Sequence, residues 1–246
     1  MEIKDIIRWW KFPSATIINR NIPKTQIYPH MKTVSDKQFL QDAVQSIYLL
    51  ASFRSDNTHI AVYKDDHELY QEIQFLYVQT KNKGDSEKIY KMLSRLMPYP
   101  LVVLTGEPAS FTIYTGRFEQ LTTGFLKLIS VYPSPVYQDE RLQSVLYQLS
   151  MDDLPRQNLK VFYDGLRDMI ATASVQQRYG ESIGTITSSE KDKLDALNKQ
   201  IVSLSSQVAK ESQLNRKIEM QMKLKKLKDE LASALSITNQ ERTTNL

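Results

Sequence analysis

Three side chains in the first third of the chain have types suited to phosphodiester hydrolysis on a divalent metal: Asp65, Glu72 and Gln74. Two carboxylates and an amide oxygen are hard ligands of the kind Mg2+ takes, and the ion would polarise the phosphate and acidify a bound water. Glu72 and Gln74 stand two apart in a segment of strand character, which sets them on one face. Lys81 falls past the end of that segment, so a lysine to activate the water is missing and the metal would have few anionic ligands. Mg2+ is expected only on this reading, and otherwise no cofactor is. His30, His59 and His67 lie far apart without ligand spacing, and the absence of cysteine removes thiolate metal sites, disulfides and thiol nucleophiles. No two of the glycines before Gly180 lie closer than eight residues, which excludes a P-loop, a dinucleotide fingerprint and a nucleophile elbow.

A second set of residues is suited to binding a partner. Leu194, Leu197, Ile201, Leu204 and Val208 follow the 3,4 alternation of coiled-coil a and d positions, and Met220, Leu224, Leu227 and Leu231 follow it again. Between Val208 and Met220 the two phases do not meet. Glu211, Asn215, Arg216 and Lys217 fall near the seam there, with Ile218 beside them, and polar groups at a seam favour a register-specific partner over a simple homodimer, which stays an alternative. Thr187-Ser188-Ser189-Glu190 has the form of a capping box that opens the helix. One helix over 187–235 would reach about 70 Å, more than the rest of the chain needs for its own core. Lys223, Lys225, Lys226 and Lys228 flank Leu224 and Leu227 and are followed by Asp229 and Glu230, the pattern of lysines snorkelling beside a leucine seam; DNA contact is only weakly supported.

These residues need elements to hold them. Ile3, Ile6, Ile7 and Trp10 recur with helical spacing until Pro13. A strand is expected over 14–20, and Ser35 with Gln38 is read as the box that opens a helix to about residue 45. Three strands over 47–54, 58–63 and 68–80 form a predicted meander, with turn chemistry in Ser55-Asp56-Asn57 and Lys64-Asp65-Asp66. Ile89, Met92, Leu93 and Leu96 mark a helix closed by Pro98 and Pro100; a buried strand over 101–105 then pairs with 111–118 across 106–110. One more strand over 125–132 precedes helices over 139–149 and 158–179. The class is α/β in the broad sense (α+β), a mixed, mostly antiparallel sheet with flanking helices and a long C-terminal coiled-coil helix. The order helix, three strands, helix, strand matches the core of the PD-(D/E)XK nucleases. The expected organisation is a globular domain over 1–180, a linker over 181–186, the coiled-coil helix over 187–235 and a flexible tail over 236–246.

The net charge of +4 is not a basic globular face, because residues 187–235 hold ten Lys/Arg against seven Asp/Glu. No stretch approaches 18 apolar residues and the first twelve residues lack an apolar export core, so a cytoplasmic protein without membrane association is expected.

The run Lys210-Glu211-Ser212-Gln213-Leu214-Asn215-Arg216-Lys217-Ile218-Glu219 resembles one found in an uncharacterised bacterial family, a domain of unknown function of about this length. Pro13-Ser14-Ala15-Thr16-Ile17-Ile18-Asn19-Arg20-Asn21-Ile22-Pro23-Lys24, Glu72-Ile73-Gln74-Phe75 and Met97-Pro98-Tyr99-Pro100 are similar to further landmarks of that family in the same order. The chain departs from it at Met220-Gln221 and at 111–114, where the family more often has a lysine-bearing strand. The resemblance implies a setting beside superfamily-2 helicases and DNA methyltransferases in restriction–modification or phage-defence islands, and it transfers no catalytic residues. The expectation is a non-catalytic assembly subunit that docks a helicase or methyltransferase through its C-terminal helix; the alternative is a divergent metal-dependent nuclease of the PD-(D/E)XK type.

Overall fold

Leu101-Val102-Val103-Leu104 is apolar at every position, so both faces of this segment have to be covered by other parts of the chain. The computed structural model describes residues 2–81, 84–107, 110–122, 124–180 and 183–244, with the backbone alone for 107 and 237–244. The chain runs through α1 (Ile3–Trp9), β1 (Ile17–Asn21), α2 (Lys24–Ile27), α3 (Val34–Ala43), β2 (Val44–Arg54), α4 (Ser55–Thr58), β3 (Tyr63–Lys64) and β4 (Leu69–Tyr70). It continues through β5 (Glu72–Thr80), α5 (Ser86–Leu96), β6 (Leu101–Glu107), β7 (Ser110–Gln120), β8 (Leu126–Pro133) and β9 (Tyr137–Gln138). The helices α6 (Leu142–Gln148), α7 (Leu159–Tyr179), α8 (Ser188–Lys210) and α9 (Leu214–Thr244) complete it. Two compact units divide at Ile170 and Ala171, within α7.

The first unit is a mixed, mostly antiparallel sheet of order β1-β2-β5-β6-β7-β8, with β9 added on β7. Among the described residues only β5 and β6 run parallel, and α5 makes the crossover between them. One face carries α1, α6 and the first part of α7 over an aromatic core, in which Trp10 meets Phe75 edge-on at 5.5 Å and Phe53 stacks on Phe162 at 5.3 Å. The other face carries α3 and α5 through Leu40, Ile47, Leu76, Val78, Ile89 and Leu93. Leu101 to Leu104 are fully buried between the two layers.

Tyrosines from both layers converge on the centre of this sheet. The Tyr163 hydroxyl of α7 accepts from Gly116 N–H at 2.9 Å and donates to the Leu101 carbonyl at 2.8 Å. From the other face, the Tyr90 hydroxyl of α5 donates to the same carbonyl at 3.3 Å. A Cβ on Gly116 would lie 2.7 Å from the Tyr90 oxygen and 2.5 Å from Leu128 Cδ1, so this close approach requires glycine. Burial pushes both phenols well above the usual tyrosine range, which keeps them neutral donors.

Several expectations change. The helix at residue 34 is capped by Thr33, whose Oγ1 accepts from Asp36 N–H at 3.0 Å, and not by Ser35. The three-stranded meander is absent: β2 pairs directly with β5, placing Arg54 opposite Glu72 and Ser52 opposite Gln74. Ser55-Asp56-Asn57 does turn the chain, but as the helical turn α4, which Asn57 Oδ1 closes on Arg54 N–H at 2.9 Å and His59 ends in the left-handed region at φ 58°. The segment that follows buries Ile60 and forms no strand before the small separate pair β3-β4. The order that matched a PD-(D/E)XK core is therefore two long strands with an excursion between them. In the turn between β6 and β7, residues 108 and 109 lie outside the described residues.

The second unit contains the C-terminal helices. Thr187 and Glu190 form the expected reciprocal cap: Thr187 Oγ1 accepts from Glu190 N–H at 3.2 Å and Glu190 Oε2 accepts from Thr187 N–H at 2.7 Å. The stretch read as one helix over 187–235 is two. Lys210 ends α8, Glu211 is extended at φ −74° and ψ 125°, and α9 begins at Leu214. Of the segment read as a linker, 181 and 182 lie outside the described residues, and Ile183 and Ile186 are buried with Val175 and Leu194. The stretch read as a flexible tail continues α9 to Thr244.

Candidate functional site

The three candidate metal ligands do different work. Glu72 and Gln74 share the sheet face of Leu76 and Val78, half-buried, where Glu72 Oε1 accepts from Ser52 Oγ at 2.8 Å and from Gln74 Nε2 at 2.7 Å. Gln74 is thus a donor to Glu72, its amide nitrogen committed inside the pair. Asp65 holds the turn between β3 and β4: Oδ1 accepts from the backbone N–H groups of His67 at 2.7 Å and Glu68 at 2.6 Å, and Oδ2 from the Tyr63 hydroxyl at 2.7 Å. The Tyr63 hydroxyl first, then these backbone donors, hold the Asp65 carboxyl below its ordinary range. Among the described residues no group of three or more His, Asp or Glu side chains is placed to hold a metal ion.

The leucine ridges come together in an antiparallel hairpin. A three-residue connection, Glu211-Ser212-Gln213, reverses the chain, and Glu211 Oε1 accepts from Gln213 N–H at 2.8 Å to hold the reversal. Leu194, near the start of α8, packs against Leu231, Ala234 and Leu235 near the end of α9. Leu204 and Leu227 line a shared groove with Gln200 and Ser203. Lys191 and Arg178 both pair with Asp195, which fastens the base of α8 to α7. The pairing covers the ridges only in part. Leu197, Ile201, Leu204, Val208, Leu224, Leu227 and Leu231 remain half-buried, and Lys217 with them. Asn215 and Arg216 are exposed. Outside the seam, Leu214 (69% exposed), Ile218 (47%) and Met222 (70%) form an i, i+4, i+8 stripe along α9.

A cleft of about 640 Å³ opens in the first unit between α5, the segment before α3, and β8. Its floor is Met31, Met92, Leu96, Leu126, Leu128 and Val131, with His30 at its side, and its cationic side chains are Lys32, Lys91, Arg95 and Lys127 against one carboxylate among the described residues, Asp36. Lys91 pairs with Glu87 at 2.5 Å. Among the described residues Lys32, Arg95 and Lys127 have no carboxylate within ion-pair distance. These cations come from three places in the sequence, so no local run announces them. Lys91 and Arg95 stand one helical turn apart, which is the only part of the pattern that spacing reveals.

No curated protein matches this chain, and no solved structure does. One family does match, over residues 11–231, and its description is a domain of unknown function, DUF4391. The match spans the sheet, its flanking helices other than α1, and most of the helical hairpin, and on that ground the chain belongs to the DUF4391 family.

Proposed function

We propose that this protein is a non-catalytic assembly subunit of a bacterial restriction–modification-like or phage-defence complex, and that its C-terminal hairpin docks a helix of the complex's helicase or methyltransferase. The observation that carries the reading is the incomplete cover of the hairpin. Two helices bury only the sides they turn to each other, so Leu197, Ile201, Leu204, Leu224 and Leu227 stay half-buried and Leu214, Ile218 and Met222 stay exposed. A third amphipathic helix with anchors at i, i+4 and i+8 matches that stripe. Arg216, Lys223, Lys225 and Lys226 are exposed along the same helix, so the docking helix is one flanked by Asp and Glu. The setting of helicases and methyltransferases comes from the family resemblance.

The test is co-purification from the cells that naturally make the protein, with the intact chain and with the full-length double variant Ile218→Glu, Met222→Glu. Both positions are exposed, so the fold is retained and its far-ultraviolet ellipticity checks this. Capture of a helicase or methyltransferase by the intact chain and its loss from the variant supports the reading; equal capture by both removes the stripe from it. A dimeric mass of the purified protein that the variant abolishes makes a second copy the occupant instead. Mg2+-dependent DNA cleavage lost on Glu72→Ala would favour the nuclease alternative.

A further inference from the structure

We propose that the cleft beside β8 is a second interaction site, which takes an extended acidic peptide segment as an added strand on the free edge of the sheet. The inference is independent of the hairpin and uses none of its residues. β8 ends the sheet: its one strand neighbour is β7, and among the described residues no strand pairs with its outer side. An unpaired edge carries backbone N–H and C=O groups that an incoming strand can satisfy. Leu126, Leu128, Ile129 and Val131 of this strand are half-buried and line the cleft, so an added strand finds apolar cover for alternate side chains.

The charge decides the chemistry of the occupant. Among the described residues Lys32, Arg95 and Lys127 surround the cleft without a carboxylate at ion-pair distance, although Glu119 stands opposite Lys127 on β7, and the one acid in the lining is Asp36. A strand that alternates Asp or Glu with aliphatic residues places its acids on the α5 side, against these cations, and its apolar side chains on the opposite side, beside Leu126 and Leu128. Single-stranded nucleic acid is the other anionic polymer to weigh, but it is held by stacking on aromatic side chains, and no Phe, Tyr or Trp lines the cleft. Two features of the edge could be read as guards against any pairing: Lys127, and the irregularity that shifts the β7 register between Arg117 and Phe118. A lysine on the edge repels a second copy of this basic edge. It attracts an acidic strand.

The experiment uses the full chain and fluorescence anisotropy with three labelled probes: a nine-residue peptide alternating Glu and Val, the same peptide with Lys for Glu, and an oligothymidylate. The proposal expects binding of the Glu-Val peptide, weakened roughly tenfold or more by Arg95→Glu with Lys127→Glu and weakened again by added salt. A Glu-Val peptide N-methylated at alternate residues should lose binding, since strand addition uses those amide donors. Thermal unfolding of the double variant serves as the fold control; should it unfold early, Arg95→Gln with Lys127→Gln replaces it. Absence of Glu-Val binding, equal binding of the Lys-Val peptide, equal binding of the N-methylated peptide, or preferential binding of the oligonucleotide each overturns the proposal.

Discussion

At the scale of single residues, the centre of the first unit depends on one hydroxyl. Tyr163 sits fully buried, and its oxygen satisfies the Gly116 N–H and the Leu101 carbonyl on neighbouring parts of the sheet. Tyr163→Phe keeps the ring and removes only that oxygen. The Leu101 carbonyl retains Tyr90 at 3.3 Å, but the Gly116 N–H loses the hydroxyl that it donates to across the layers. Leaving a buried donor unsatisfied costs about 1–3 kcal/mol, so urea unfolding of the variant should show a loss of that size with an unchanged slope. A variant as stable as the parent would mean that water or a shifted backbone replaces the hydroxyl. Neither Tyr163 nor Gly116 announces this role in the sequence, because the two are separated by most of the β7-to-α7 segment and meet only across the layers.

At the scale of elements, the legible features were those with local signals. Continuous apolar character marked β6 as buried on both faces, and Thr187 with Glu190 marked the start of α8 to the residue. The break between α8 and α9 had no Gly or Pro to mark it. Its signal is the failure of the two leucine phases to meet between Val208 and Met220, a pattern that fits a polar defect in one rod and a reversal of the chain equally well. The excursion through α4, β3 and β4 is hidden in the sequence because Thr58 to Tyr63 has strand composition, and composition does not reveal that Ile60 turns into the core. Asp65 belongs to that excursion, and its acid function serves the turn. A carboxyl held below its ordinary range stabilises its turn fully at neutral pH and stops doing so as pH falls through the lowered value. Nuclear magnetic resonance of the His67 and Glu68 amide protons should therefore show a titration below the ordinary aspartate range, which Asp65→Asn abolishes. A titration at or above that range would show that the carboxylate does not accept these bonds in solution.

At the scale of the whole molecule, the two units differ in how much they bury, and unfolding should separate them. The first has an apolar cluster on each face of its sheet, one of them rich in aromatic side chains that include Trp10, Phe12, Phe53, Phe75, Phe118 and Phe162. The core of the second, among the described residues, is Val175, Ile183, Ile186 and Leu194, with Tyr179, Leu231, Ala234 and Leu235 packed on it. Stability scales with the apolar area removed from water, and α8 and α9, of 23 and 31 residues, leave most of their seam half-covered. Both tryptophans, Trp9 and Trp10, lie at α1 in the first unit, so their fluorescence reports on that unit alone, while far-ultraviolet ellipticity also sees the hairpin. In a urea titration the ellipticity should fall first and the tryptophan signal later, departing from a single two-state transition. A protein that docks on the hairpin binds only its folded form and should raise the earlier midpoint while leaving the later one in place. Superimposable curves from the two probes would mean that the hairpin draws its stability from the sheet, and the incomplete cover from which the docking surface is inferred would then no longer mark it as a separate, partner-dependent element.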